Sequence, residues 1–395
     1  MITAKPLLPE INFGVDEIDN FHEVMDQLRT EGPVVPVTFL GDTVWCITSH
    51  SVLKEAFSDE EHFAMAVAYK VNAKPVMGIT MESMEGEEHR INRGIISKYF
   101  LPREIRKIIE PLMEEEAKIL LDVIEESYKN GQTKIDLMPT FIGPYPFKII
   151  TRFMGIPVDD DKKFMQWADA LITYAWDPEG ALKAKAEFTE YLTPIVRERI
   201  ANPGDDMISI LVRAEFEGNK LTEEEIISFC RLIFPAGSDS TYRGLGSLVY
   251  SVLADPALKE QALSSEDARN NMTEEMMRWE PPVATIPRRC GKSTVLAGVS
   301  IEKDDWILYG IAAASRDPEV VDNGDEFDPS RKWGVQLGFG YGVHFCVGSH
   351  FARAETETAL RLLLERFPNL ALNKDKPVKI SGTIMRGPES LWVRL

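Results

Sequence analysis

The chain runs to 395 residues, 44% of them hydrophobic, with a formal net charge of −19. A surface that acidic repels nucleic acid and anionic membrane, and a chain of this length and apolar content has ample side chains for a large core. Its four cysteines, Cys46, Cys230, Cys290 and Cys346, are widely scattered and form no C-x-x-C pair, which speaks against a zinc site and a disulfide framework.

The first residues, Met1-Ile-Thr-Ala-Lys-Pro-Leu-Leu-Pro9, hold two prolines and no long apolar stretch, so neither signal peptide nor membrane anchor is expected and the setting is read as cytoplasmic. Val34 to Thr48 alternates apolar and polar residues about Gly41-Asp42, which predicts a β-hairpin with a two-residue turn. From about Glu87 to Leu364 helical periodicity dominates, most clearly over 105–128, 160–172, 182–200, 222–253 and 268–280. Short apolar runs punctuated by Gly298, Gly382 and Gly387 bring β structure back at Val295–Leu308 and Lys379–Val393. No linker, low-complexity run or repeat interrupts the chain. The expectation is one domain over 1–395, mainly α with a small β-rich lobe.

Two stretches carry chemistry in their own right. Thr222 and Glu225 form a capping box, and the helix they open spans about 45–50 Å before Asp255-Pro256 ends it. Midway, Phe234-Pro-Ala-Gly-Ser-Asp-Ser-Thr241 puts a proline, a glycine and several hydroxyls where a plain helix has none, and predicts a local kink. Further on, Phe339-Gly-Tyr-Gly-Val-His-Phe-Cys-Val-Gly348 sets Cys346 between glycines, just ahead of a helix expected from Ser349 to about Arg366. Gly340, Gly342 and Gly348 permit tight turns and close approach of a flat ligand, and the positive helix end favours thiolate over thiol. The segment reads as one sulfur presented to a metal.

Phe339, Gly342, His344, Cys346 and Gly348 match F-x-x-G-x-H-x-C-x-G without departure, and this pattern resembles the haem-binding signature of the cytochrome P450 superfamily. The resemblance implies that Cys346 is the axial thiolate of a b-type haem, that Phe339 packs near the sulfur and that His344 contacts a haem propionate. Thiolate ligation pushes electron density onto iron and favours O–O cleavage, the step behind C–H oxidation. Ala236, Gly237, Asp239 and Thr241 resemble the family's A-G-x-[DE]-T-T, with Ser240 replacing the first threonine. The role this implies is proton delivery: Asp239 brings protons from solvent, and the Ser240 hydroxyl donates to bound dioxygen so that the distal atom leaves as water.

Other segments follow the family in order. Glu275-Met-Met-Arg278 resembles its E-x-x-R, and with Arg331 of Phe327-Asp-Pro-Ser-Arg331 implies a structural network holding the cysteine loop. Glu88-His89-Arg-Ile-Asn-Arg93 resembles E-H-x-x-x-R, with His89 and Arg93 on one helix face as propionate donors. Arg288 or Arg289 adds a third, and alignment to the Gly298-Val299 turn favours Arg288. By resemblance the substrate pocket draws on 63–84, on Trp167, Tyr174 and Trp176 within 165–200, on Leu232–Gly237, on Val283–Ile286 and on Thr383–Met385.

The implied activity is insertion of one oxygen atom from O2 into a hydrophobic organic substrate. No flavin or dinucleotide fingerprint is present, so the resemblance implies a separate ferredoxin or flavodoxin with an NAD(P)H-dependent reductase. Arg90, Arg93, Lys98, Arg103, Arg106 and Lys107 cluster on the helix that by resemblance backs the proximal haem face, an expected docking site for an acidic donor. Alternatives are a peroxide-driven or isomerising haem-thiolate enzyme, which does not need Asp239 and the adjoining hydroxyl, and a haem-based sensor, which would call for a second signalling domain.

Overall fold

The computed structural model describes residues 2, 4–157, 161–332 and 334–395. A five-stranded sheet runs in the order Asn12–Phe13, Val34–Phe39, Asp42–Ile47, Trp306–Tyr309, Ile286–Arg289. Val35, Val37, Phe39, Val44 and Cys46 turn one face of it onto the helix Phe21–Glu31, whose Phe21, Val24, Met25 and Leu28 follow an i, i+3, i+4, i+7 stripe. Val34 and Ile47 turn the other way, onto the helix His50–Ser58. The hairpin turn is Leu40-Gly41, one residue earlier than predicted. Both have positive φ (51° and 89°), while Asp42 pairs with Phe39 in the ladder.

The predicted helices lie where the periodicity puts them, with ends set by local chemistry. The 222–253 segment is the helix Glu223–Ala254, opened by a reciprocal Thr222–Glu225 box. The 268–280 segment is Glu266–Trp279, capped by Ser265, and 182–200 begins earlier, at Pro178, where the Asp177 side chain accepts from the Gly180 N–H. The 160–172 segment is Asp161–Ile172, and its predicted first residue lies outside the described residues. Only 105–128 divides: Ile105–Ile109 is a π-helical turn in which the Glu110 N–H reaches back to the Ile105 carbonyl, and the α-helix Glu110–Lys129 follows with Pro111 in its first turn.

The helix Glu223–Ala254 is buried along most of its length against Pro144–Met154, Asp161–Ile172, Pro178–Ala201 and Ser349–Arg366. Phe234 stacks on Phe188 at 4.9 Å and meets Phe147 edge-on at 5.6 Å. No helix among the described residues is long and apolar enough to cross a membrane.

Candidate functional site

The cysteine loop is shaped by backbone constraints. Gly340 and Gly342 sit at φ +74° and +77°, and a Cβ on Gly342 would come within 2.7 Å of the Phe57 carbonyl oxygen. The Cys346 N–H donates to the Phe339 carbonyl at 2.9 Å, and the Arg353 guanidinium lies 4.4 Å over the Phe339 ring. The Cys346 side chain opens into a cavity of about 1100 Å³. Burial raises its thiol above the ordinary range, against the Gly348 N–H and the positive charges of Arg93 and Arg353.

Another part of the wall of the same cavity comes from the long helix, through Ala236, Gly237, Asp239, Ser240 and Thr241. That helix is continuous through Pro235, and the Ser238, Ser240 and Thr241 hydroxyls donate to the carbonyls of Phe234, Ala236 and Gly237 at 3.0, 3.1 and 3.3 Å. Gly237 serves packing: a Cβ there would meet Ile150 Cδ1 at 2.8 Å. Asp239 is held by Arg243, one turn on, at 3.2 Å. Burial raises its carboxyl into a more easily protonated range, and Arg243 opposes this.

Positive groups gather at one end of the cavity. Arg93, on the helix Gly86–Ser97, donates to the Phe345 carbonyl, and Arg288 lies 5.5 Å over the Tyr309 ring; neither pairs with a carboxylate among the described residues. Arg289 points away to Asp304 at 3.2 Å and stands outside the cavity wall, so of the two candidates Arg288 is the one that reaches it. His344 lines the wall, its Nε2 3.5 Å from a Glu60 oxygen without a hydrogen bond. His89 stands behind, its ring 4.1 Å from that of His344 and outside the wall itself. Burial, then His344 and Arg93, push it down to about 4, and its Nε2 has no partner among the described residues. A free thiol, two guanidinia without carboxylates and two orphaned imidazole nitrogens around one largely apolar cavity fit haem b: an iron to ligate and two propionates to hold.

Behind the loop, Glu275 is fully buried and accepts from Arg278 at 2.7 and 3.1 Å, from Arg331 at 3.3 Å and from the Asp328 N–H at 2.9 Å. Arg278 continues to the carbonyls of Gly324 and Glu326, so the helix Glu266–Trp279 grips the segment leading into the cysteine loop.

Several expectations need correction. Trp167 and Tyr174 do not line the cavity: Trp167 is buried beside Phe164 and Phe188 and donates to Glu187 at 2.9 Å. The basic stretch is smaller than its sequence suggests, because Arg90 pairs with Glu87 and Glu217 and Arg93 turns inward, leaving Lys98, Arg103 and Lys107, with Arg106 loosely paired to Glu110 at 3.9 Å. Two residues were missed. Arg243 carried a readable signal in its i,i+4 spacing from Asp239; Glu82, which lines the cavity from the 63–84 region, carried none.

Comparison with known proteins agrees with this geometry. The sequence model of the family described as Cytochrome P450 matches residues 8–267 and 269–393. The erythromycin C-12 hydroxylase of Saccharopolyspora erythraea is 32% identical over 374 residues, covering 91% of this chain and 92% of that protein. The solved structure of cytochrome P450 PksS, from the bacillaene polyketide synthase of Bacillus subtilis 168, superposes with a TM-score of 0.86 at 30% identity, over 95% of this chain and 97% of that one. P450BioI, in complex with acyl carrier protein ligated to hexadec-9Z-enoic acid, does so with a TM-score of 0.84 at 27% identity, over 95% and 98%. A family match from residue 8 to residue 393, borne by the same mainly helical fold, places this chain in the cytochrome P450 family of haem b monooxygenases.

Proposed function

We propose that this chain inserts one atom of O2 into a hydrophobic organic substrate, with electrons from a separate ferredoxin or flavodoxin and its NAD(P)H-dependent reductase. One observation carries the reading: the Cys346 thiol and the hydroxyl-bearing turn Ala236–Thr241 line one cavity, whose other walls include Phe100, Ile150, Leu232, Val283 and Ile384. Bound haem supplies dioxygen activation. Cys346 would hold its iron, and Arg93, Arg288 and His344 would hold its propionates, with His89 buttressing His344.

Ser240 Oγ holds the proton for the oxygen side, and gives it up by leaving the Ala236 carbonyl. Asp239 restocks it, since its raised carboxyl picks up protons more readily than an exposed aspartate, and Thr241 sits one residue on. The apolar walls keep other water away. Glu275, Arg278 and Arg331 hold the loop that presents the thiol. Lys98, Arg103, Arg106 and Lys107 offer the electron donor a basic surface. Relatives named for hydroxylating erythromycin and for holding a hexadecenoyl chain support a large, mainly apolar substrate.

The test is spectroscopic and then kinetic. Reduced protein under carbon monoxide should show the red-shifted Soret band of thiolate ligation, lost in Cys346→Ser. NADH-dependent product formation with surrogate redox partners should follow. Turnover with peroxide alone, and none with NADH and partners, would overturn the electron-driven reading.

A further inference from the structure

Glu82 lines the cavity but belongs to neither the haem cradle nor the proton relay. It sits on the 3-10 turn Met81–Ser83, which is firmly held: Thr80 Oγ1 accepts from the Glu82 N–H at 3.3 Å and donates to the Tyr69 hydroxyl at 2.8 Å, while Ser83 Oγ donates to the Thr80 carbonyl at 2.7 Å. The turn directs the carboxyl into the cavity, where it has no hydrogen-bond or ion-pair partner among the described residues. The positive groups that act on it are Arg288 and His344, both of which the haem propionates claim in the reading above. Asp239, the other inner carboxylate, has Arg243. With haem in place, Glu82 is left without a compensating charge inside the pocket.

We propose that Glu82 is the polar anchor of the substrate pocket and selects substrates bearing a cationic nitrogen on an apolar body. The inference rests on the function proposed above and narrows its substrate class. An unpaired carboxylate is costly in an apolar cavity, and burial already raises the Glu82 carboxyl; a ligand cation supplies the missing partner and recovers that cost. Other carboxylates of the cavity point the same way. Asp16, Asp42 and Asp169 are exposed, line the cavity and make no ion pair among the described residues, so its solvent-exposed wall favours cations.

The test uses the haem-loaded protein and a matched pair of probes: a phenylalkyl trimethylammonium ion and its neutral tert-butyl isostere. The quaternary nitrogen has no lone pair and cannot ligate iron. Binding is read by equilibrium dialysis and by the Soret shift. Wild type should hold the cation more tightly than the isostere by about tenfold or more, the scale of one charge-assisted contact. Glu82→Gln should abolish that preference and leave the isostere's affinity unchanged, while Glu82→Asp keeps part of it. No preference in wild type would overturn the inference without any variant having to fold. So would a preference that survives in Glu82→Gln, even if that substitution shifted haem affinity or reduction potential, because Glu82 would then serve the propionates. Carbon monoxide spectra and NADH turnover test the underlying activity separately, so a protein that passes both and ignores the cation sinks only this inference.

Discussion

The hydroxyl of Ser240 donates to the Ala236 carbonyl, and that of Thr241 to Gly237, so neither stands free in the resting helix. Serine lacks the methyl that restricts threonine at χ1 and therefore swings away from its carbonyl more easily. Ser240→Ala should keep haem and substrate binding but divert reducing equivalents to peroxide, read as product formed per NADH consumed; wild-type coupling would pass the role to Thr241. Asp239→Asn should slow the whole cycle by removing the group that restocks protons. Arg243 adds a pH signature. It works against the burial that raises Asp239, so Arg243→Met should raise that carboxyl further and move the alkaline limb of the turnover profile to higher pH. An unmoved limb would mean that the pair only ties one helical turn to the next.

Between elements, one buried cluster joins distant parts of the chain. Glu280, just past the helix Glu266–Trp279, accepts from His22 at 2.8 Å and from Arg386 at 2.6 Å, and Arg386 stacks 4.2 Å over Phe21. Burial alone would raise the Glu280 carboxyl; the His22 hydrogen bond and Arg386 outweigh it and hold it at about 2. His22 is itself pushed down by burial, which its hydrogen bond to Glu280 opposes. A carboxyl held below its ordinary value of 4.5 lends stability that is complete above that pH and lost as pH falls toward about 2. Glu280→Gln should flatten this acid limb in denaturant midpoints measured across pH. It should also cost about 3–5 kcal/mol near neutrality, the scale of leaving one buried charge unpaired.

Across the whole molecule the net charge is −19, and against it Lys98, Arg103, Arg106 and Lys107 form a local basic surface that attracts an acidic electron donor. Contact attraction between exposed charges is screened beyond a Debye length of about 10 Å at 0.1 M salt. Added salt should therefore raise the apparent KM for the donor, and Arg106→Glu with Lys107→Glu should slow reduction while leaving substrate-induced spectral shifts intact. Reduction rates indifferent to both changes would move the docking site elsewhere.

Much of this protein was readable along the chain because the features are local. The Phe339–Gly348 loop needs its glycines at fixed offsets from the cysteine, the long helix announces itself by the Thr222–Glu225 box and an unbroken apolar run, and the hairpin alternates with period two. Periodicity says which residues share a face; it does not say what covers that face. Only the ladder between Ile286–Arg289 and Trp306–Tyr309 turned Arg288 toward the cavity and Arg289 toward Asp304. Only packing set His89 behind His344, buried Trp167 away from the cavity and drew Arg90 and Arg93 out of the basic surface. The hydrogen-bond partners of Glu280 lie 258 and 106 residues away, and the isolation of Glu82 is a property of the cavity around it. The sequence by itself determined the elements, the ligand loop and the family chemistry; the tertiary structure decided which charges were paired and which were left facing the pocket, because burial and long-range contact exist only once the chain is folded.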